Sequence, residues 1–353
     1  MKKIVISTGG TGGHVIPAQV IYDYLHDKND VILTSDDRGL NYIDKKKYKI
    51  KKINVPKFSK NILGFARFVI FFSLSIINSY FFLSQKKTEI LISTGGYMSL
   101  PICLAARILK VKIFLFEPNL VLGKTNLLLI NYCNKIFTYN KIIKNFPKNM
   151  KYKNFVLKPL IRKEIFLSKS KLVKKKYKFN ILIIGGSQGA KKFDDLFKTD
   201  LMKLSKIFRI KIFHQTSSEN LKKLKKFYLT KNIKAEVFSY TNNLHKIINK
   251  CDFIITRSGS STINELVFLA KPFLAIPYPF AKDDHQYYNA KYYVRKNLGW
   301  LVRESKIKDN FLYKFIRNLI KNKKLLFQKR KNMKKFFKKY DWQRNSNELN
   351  NLI

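Results

Sequence analysis

Short, nearly continuous apolar runs, each followed by a segment of helical period, recur along this chain. The first half carries "KKIVIST", "DVILTS", "EILIST" and "KIFLFE"; the second carries "FNILIIGG", "RIKIFHQT", "AEVFSY", "DFIITR" and "PFLAIPYP". A run that is apolar on both sides makes a strand buried on both faces, and such strands alternating with helices form helix-covered parallel sheets. At 353 residues, 46% of them hydrophobic, the chain is too long for one core and apolar enough for two. Each half opens on strand, glycine-rich turn, helix. The expected fold class is α/β, with two Rossmann-like, doubly wound domains. A lysine-rich segment, "SKSKLVKKKYK", precedes the strand that begins at Phe179 and marks the boundary region. The expected domains are residues 1–158 and 159–335. Residues 336–353 are expected to form a C-terminal helix packing back toward the first domain, with a break near Tyr340 and Asp341.

The first glycine turn is Ser7-Thr8-Gly9-Gly10-Thr11-Gly12-Gly13-His14. It leads into a helix carrying Val20, Ile21, Tyr24 and Leu25, with Pro17 expected in the first turn, where a missing N–H is tolerated. Ile184-Gly185-Gly186-Ser187-Gln188-Gly189-Ala190 repeats the pattern in the second half, and Ser93-Thr94-Gly95-Gly96-Tyr97 makes a third turn. Glycine lets a backbone approach a ligand closely, and free N–H groups at a helix start favour anionic oxygen. The dinucleotide fingerprint would need glycine at Val15, and no Gly-Lys-Ser/Thr closes either loop as a Walker motif would. Hydride transfer and ATP hydrolysis lose ground; another phosphorylated ligand is implied. His14 stands at a helix N-terminus, where positive charge is disfavoured, and a neutral imidazole there can accept a proton.

In the second half, Arg257-Ser258-Gly259-Ser260-Ser261-Thr262 follows a strand and leads into a helix bearing Glu265. Two readings of Glu265 stand open. It is either the N3 carboxylate of a Thr262-x-x-Glu265 capping box or an acceptor for two ribose hydroxyls at the carboxyl end of a strand. "FAKDDHQYYNA" gathers Asp283, Asp284, His285, Gln286 and Asn289, polar groups suited to sugar hydroxyls. The chain contains no Asp-x-Asp and no His-x-x-x-His, so neither a metal nor another cofactor is expected.

With 71 Lys+Arg against 22 Asp+Glu, the formal charge of +49 points to anionic partners: phosphorylated substrates, an anionic membrane surface or nucleic acid. No nucleic-acid-binding module is recognisable and the glycine loops would then be idle, so nucleic acid is not expected. Three scattered cysteines, Cys103, Cys133 and Cys251, fit a reducing cytoplasm rather than a disulfide framework. Met1-Lys2-Lys3 runs straight into a strand, and no export signal is expected. "ILGFARFVIFFSLSIINSYFFL" is the one membrane candidate. Its uncharged core, Phe68 to Leu83, is 16 residues, short of the roughly 20 a span needs. Read as a helix, Arg67, Phe71, Ser75, Asn78, Phe82 and Gln85 share one stripe. Phe71 and Phe82 are the expected membrane contacts, with Lys57, Lys60, Lys86 and Lys87 meeting anionic lipid.

"GGTGGHVIPA", "STGGYMSLP", "FEPN" with "GKTN", "GGSQGA", "RSGSSTINEL", "PYPF" and "DDHQYYNA", in that order, resemble the MurG family over almost the whole chain. These are the UDP-N-acetylglucosamine transferases that act on lipid-linked muramyl pentapeptide in bacterial cell-wall synthesis. The resemblance implies two domains facing across a cleft, the B-type glycosyltransferase arrangement, with an acceptor and membrane-facing N-terminal domain and a UDP-sugar donor domain. It implies a metal-independent hexosyltransferase, peripheral on the cytoplasmic face of the inner membrane. That enzyme moves N-acetylglucosamine with inversion onto the 4-hydroxyl of the muramyl residue, converting lipid I to lipid II.

By the same resemblance, the donor would meet Thr11, Gly12, Gly13, Asn119, Arg162, Ser187, Gln188, Thr241, Glu265 and Gln286. His14, Tyr97, Glu117 and Asn119 would line the acceptor side, with His14 or Glu117 taking the proton. The chain departs from the family at Phe116-Glu117-Pro118-Asn119, where His-Glu-Gln-Asn is common, at Lys158 to Arg162, which replaces Gly-Asn-Pro-Val-Arg, and at His285-Gln286, which stands for a Gln pair. The alternative reading is another sugar-nucleotide transferase or epimerase of the same fold.

Overall fold

The computed structural model describes residues 1–56, 61–168, 179–185, 190–239, 241 and 243–353. The chain divides into two compact units, one comprising Met1–Arg162 with Asp341–Ile353 and the other Lys163–Tyr340.

The first unit is built on seven parallel strands: β1 (Lys3–Ser7), β2 (Asp30–Ser35), β3 (Ile50–Lys52), β4 (Ile90–Ser93), β5 (Lys112–Glu117), β6 (Lys135–Thr138) and β7 (Asn154–Val156). Their order is β3-β2-β1-β4-β5-β6-β7. Central β1 pairs with both β2 and β4, Ile4 aligning with Val31 on one side and Ile90 on the other. The strand order reverses between β1 and β4, and ligands of open α/β sheets bind at the carboxyl ends of the two strands flanking such a switch. Two of the glycine turns, after Ser7 and after Ser93, leave the sheet there. Val5, Leu91, Leu115 and Ile136 form the core with Ile102, Ala105 and Ala106 of the helix Leu100–Ile108 and with Phe82 and Leu83.

The helix Gly12–Leu25 begins earlier than the proline suggested. Pro17 sits in its second turn rather than its first, so the helix gives up the bond to the carbonyl of Gly13. The helix Trp342–Leu352 belongs to this unit: Asp341 caps it, accepting from the Arg344 amide at 2.6 Å, and the Trp342 and Tyr24 rings lie 4.4 Å apart.

The helix Ile62–Gln85 corrects the expected membrane contact at Phe82. That ring is only 9% exposed and belongs to the core, whereas Phe71 is 45% exposed. Ser75 donates to the carbonyls of Asn54 and Phe71, and Ser79 to that of Ser75. Hydroxyls satisfied this way can be buried at little cost, so the serine-bearing side of the helix faces the domain. The exposed apolar line is a different one, Leu63, Ile70, Leu74, Ile77 and Phe81, whose three-, four- and seven-residue steps keep side chains on one helical face. By length and composition alone the helix is also long and apolar enough to cross a membrane.

The second unit carries six parallel strands: β8 (Phe179–Ile184), β9 (Ile210–Gln215), β10 (Ala235–Phe238), β11 (Phe253–Thr256), β12 (Phe273–Ala275) and β13 (Trp300–Leu301). Their order is β10-β9-β8-β11-β12-β13, with the switch between β8 and β11. Phe193, Phe197, Leu201 and Leu204 cover one face of this sheet together with Leu312, Ile316 and Leu319.

Candidate active site

In the first unit, the amide of Thr94 donates to the carbonyl of Ser7, and the Thr94 hydroxyl donates to that of Thr8 at 2.9 Å, so the two glycine turns are stitched together at the switch. His14, half-buried at the start of its helix, places Nδ1 2.9 Å from the Thr94 carbonyl. A carbonyl only accepts, so Nδ1 carries the hydrogen and, in the neutral ring, Nε2 is left with a lone pair. The imidazole packs on Gly96. A Cβ at that position would lie 3.2 Å from His14 Cδ2, and the backbone there has φ +84°, a conformation favouring glycine. Gly96→Ala is therefore expected to displace the ring and slow turnover by about tenfold, at a conformational cost of about 1–3 kcal/mol. Steady-state kinetics beside thermal melting measure both effects, and unchanged kcat in the variant would contradict the packing argument.

The signal for Asp36 was missed in the sequence. Its Oδ1 accepts from the amides of Gly10 at 2.6 Å and Gly39 at 3.0 Å, and a Cβ on Gly9 would come within 2.6 Å of the same oxygen. An acid directly after the second strand is the position that binds ribose in dinucleotide folds; here it holds the first glycine turn. Thr11 is the N-cap residue but makes no side-chain cap bond, and the amides of Gly12 and Gly13, as the first of a helix, have no intrahelical acceptor. These groups are available to an oxyanion.

Glu117, 3% exposed at the end of β5, is fully engaged. Oε1 accepts from the amide and side chain of Asn119 at 3.1 and 2.9 Å, and Oε2 from the Gly123 amide and Asn126 side chain at 2.8 and 3.0 Å. The carboxylate organises the "FEPN" and "GKTN" turns and presents half-buried Asn119. Tyr97 stands on the third turn, its ring 6.4 and 6.2 Å from those of Phe68 and Phe72 on the apolar helix, and burial raises the pKa of its hydroxyl. Half-buried Arg162 closes this unit.

In the second unit, the capping-box reading of Glu265 does not hold. The helix Ser260–Phe268 takes Gly259 as its N-cap, so Thr262 is already the third helical residue and buried Glu265 lies deeper in the helix. Gln286 Oε1 accepts from the amides of Ser258 at 3.2 Å and Tyr278 at 3.0 Å. Two donors on one atom fix which end of the amide is oxygen, and its NH₂ is left to donate outward. Asn289 donates to the Ser258 carbonyl at 3.3 Å, and Asp284 is held by Arg303 at 2.7 Å. These two support the loop, and the Gln286 NH₂ keeps hydrogen-bonding capacity to spare. Asp283 and Asp284 both adopt positive φ, 53° and 55°, a strained pair of the kind found at ligand sites.

Arg257 is buried between Phe193 and Tyr278, 4.2 and 5.5 Å from their ring centres, and pairs with Glu304 at 2.6 Å. Burial lowers its pKa, and Glu304 partly restores it. Half-buried Thr241 accepts from the Asn243 amide at 3.1 Å, closing the turn into the helix Leu244–Lys250. Ser187 and Gln188, like Lys57 and Lys60, lie outside the described residues.

Two Rossmann-like parallel sheets, the first with glycine turns at its switch point, are an architecture found in sugar-nucleotide glycosyltransferases, and the family matches assign the chain to that class. Residues 4–138 match the glycosyltransferase family 28 N-terminal domain and residues 180–343 its C-terminal domain. The chain belongs to the MurG family of these enzymes. It is 47% identical over 97% of its length, and 96% of the relative's, to the UDP-N-acetylglucosamine–N-acetylmuramyl-(pentapeptide) pyrophosphoryl-undecaprenol N-acetylglucosamine transferase of Pelagibacter ubique. It is 34% identical to the transferase of the same name from Rickettsia bellii, covering 95% of each chain. The crystal structure of MurG from Acinetobacter baumannii matches its fold with a TM-score of 0.73 at 23% identity, over 99% of both chains.

Proposed function

We infer that this chain transfers N-acetylglucosamine from UDP-N-acetylglucosamine to the 4-hydroxyl of a lipid-linked muramyl pentapeptide in peptidoglycan synthesis. The names of relatives alike over nearly the full length supply the substrates. The observation that carries the chemistry is His14, whose Nδ1 is committed to the Thr94 carbonyl and whose Nε2 is a proton acceptor.

In this reading the acceptor oxygen attacks the anomeric carbon of the donor, its proton passes to His14 Nε2, and the bond from that carbon to the UDP oxygen breaks. Attack opposite the leaving group turns the α-linked donor into a β-linked product. His14 is the base rather than Glu117, because every strong hydrogen-bonding position of that carboxylate is already taken by the turns it organises. Asn119 and Tyr97 stand on the acceptor side. By the family resemblance, Thr11, Gly12 and Gly13 are donor-binding groups and Ser187 and Gln188 belong near the diphosphate; N–H dipoles at a helix start stabilise developing negative charge. Gln286 donates to the sugar, Glu265 accepts from the ribose, Thr241 meets the base, and Arg162 contributes a cation.

The acceptor's lipid anchors it in a bilayer, and the exposed line Leu63, Ile70, Leu74, Ile77 and Phe81, with Phe71 beside it, supports peripheral attachment there. The positive charge of the chain favours an anionic surface, and the cytoplasmic face of the membrane is the proposed location.

A transfer assay with labelled UDP-N-acetylglucosamine, a short-chain lipid-linked acceptor and EDTA tests the reading. Wild type is expected to turn over in EDTA, and Glu265→Ala to raise the donor KM by about tenfold or more through loss of a charged hydrogen-bond acceptor. UDP release to water, or epimerisation of the sugar, in place of transfer would favour the other sugar-nucleotide enzymes of this fold.

A further inference from the structure

Gln286 is held by two peptide groups, and each of them is itself gripped on its carbonyl side. The Tyr278 amide that donates to Gln286 Oε1 shares a peptide plane with the Pro277 carbonyl, and Arg257 Nη1 donates to that carbonyl at 3.0 Å. The Ser258 amide shares its plane with the Arg257 carbonyl, which accepts from the Thr256 hydroxyl at 2.8 Å. A peptide unit is rigid, so fixing its carbonyl fixes the direction of its N–H. Arg257 thus enters both grips, through its backbone at one and its guanidinium at the other.

The guanidinium is fixed in turn by Glu304. Arg257 is 6% exposed, its Nη1 also donates to the Ile276 carbonyl at 3.3 Å, and its Nη2 lies 2.6 Å from Glu304 Oε2. A buried arginine needs both its donors and its charge answered, because an unpaired charge in the interior is costly. The backbone carbonyls answer donors, and the carboxylate answers the charge.

The sheet puts Glu304 within reach. β13 runs parallel to β12 with Leu301 aligned to Ala275, and the Val302 amide donates to the Ala275 carbonyl at 3.1 Å. The chain therefore leaves β13 beside Ile276 and Pro277, at the carboxyl edge where ligands of open parallel sheets bind. Arg303, the neighbour of Glu304, grips the other flank of Gln286. It pairs with Asp284 at 2.7 Å, and its guanidinium carbon lies 4.0 Å from the centre of the Tyr287 ring. Asp284 is the N-cap of the helix His285–Arg295, of which Gln286 is the second residue. An ion pair as open as that of Arg303 adds little stability, so what it contributes is orientation.

We propose that Glu304, acting through Arg257, is a positioning residue for recognition of the donor sugar, with Arg303 steadying the start of the helix that carries Gln286. The proposal rests on the reading that the Gln286 amide donates to the N-acetylglucosamine unit. Arg303 and Glu304 act by setting where the Gln286 NH₂ points.

The test compares the affinity of the full-length protein for UDP-N-acetylglucosamine with that for UDP, both by calorimetry, with melting curves beside them. UDP has the base, ribose and diphosphate but no sugar, so the ratio of the two dissociation constants isolates the sugar contact. Gln286→Ala is expected to weaken UDP-N-acetylglucosamine binding by about tenfold, within the range for a lost hydrogen bond, and to leave UDP binding unchanged. Glu304→Ala is expected to do the same by about three- to tenfold, and the double variant to lose no more than Gln286→Ala alone. Glu304→Gln, neutral at nearly the same volume, is expected to shift the ratio in the same direction and supplies the comparison should Glu304→Ala not fold. Equal losses for both ligands, or a wild-type ratio in folded Glu304 variants while Gln286→Ala loses it, would overturn the proposal and leave Glu304 a structural residue. A wild-type ratio in Gln286→Ala would overturn the sugar reading of Gln286 itself.

Discussion

Replacing His14 by asparagine is expected to slow sugar transfer by about 10²- to 10⁴-fold, the range that a positioned general base contributes. The choice of asparagine matters because His14 does two things. Its Nδ1–H ties the first helix to the Thr94 carbonyl, and its Nε2 accepts the proton. An asparagine amide can keep the first contact and cannot supply the second, so a loss in His14→Asn reports the base itself, whereas His14→Ala removes both. UDP affinity is expected to be unchanged in His14→Asn, which separates loss of chemistry from loss of the donor. Retention of more than about a tenth of wild-type turnover in a folded His14→Asn protein would return the search for the base to other groups.

The second large effect concerns the bilayer. Ile70→Glu together with Ile77→Glu is expected to weaken binding to vesicles of anionic lipid by at least about a hundredfold, because each isoleucine buried in an apolar medium is worth roughly 1.5–3 kcal/mol. Both side chains are largely exposed, 60% and 49%, so the folded domain is expected to tolerate the change. Phe82→Ser should behave in the opposite way. Its ring is packed in the core, and its removal is expected to destabilise the first unit by about 3–5 kcal/mol without a specific effect on vesicle binding. Co-sedimentation with vesicles, read beside thermal melting, distinguishes the two. Wild-type vesicle binding by the double glutamate variant would rule out the exposed line as the contact surface.

The contrast between those two positions shows where a sequence stops being informative. Phe71 and Phe82 share a stripe with Ser75 and Asn78, and that stripe reads as the face turned to the membrane interface. In the folded unit Ser75 and Ser79 spend their hydroxyls on backbone carbonyls and turn inward, so polarity along the helix does not report which side faces the domain. The choice between the two readings of Glu265 turns on a related point. The spacing of Thr262 and Glu265 fits a capping box, but the backbone enters the helix after Gly259, three residues before the box allows. Pro17 likewise sits one turn deeper than its usual place, and a helix end is a matter of a few backbone angles that neighbouring turns decide.

Periodicity and composition alone carried the two parallel-sheet units, because a strand buried on both faces has no option but to be apolar at every position. The glycine turns were equally legible: backbone that approaches a neighbour closely favours glycine, as Gly9 against Asp36 and Gly96, at positive φ, against His14 illustrate. The tertiary structure decided what each polar group is free to do. Asp36 and Glu117 are consumed in holding turns, Asp194 is sealed in the core, and His14 and Gln286 each keep one atom in reserve. A residue's type states how many hydrogen bonds it can make, but its neighbours, brought together from distant parts of the chain, determine how many are left for a substrate.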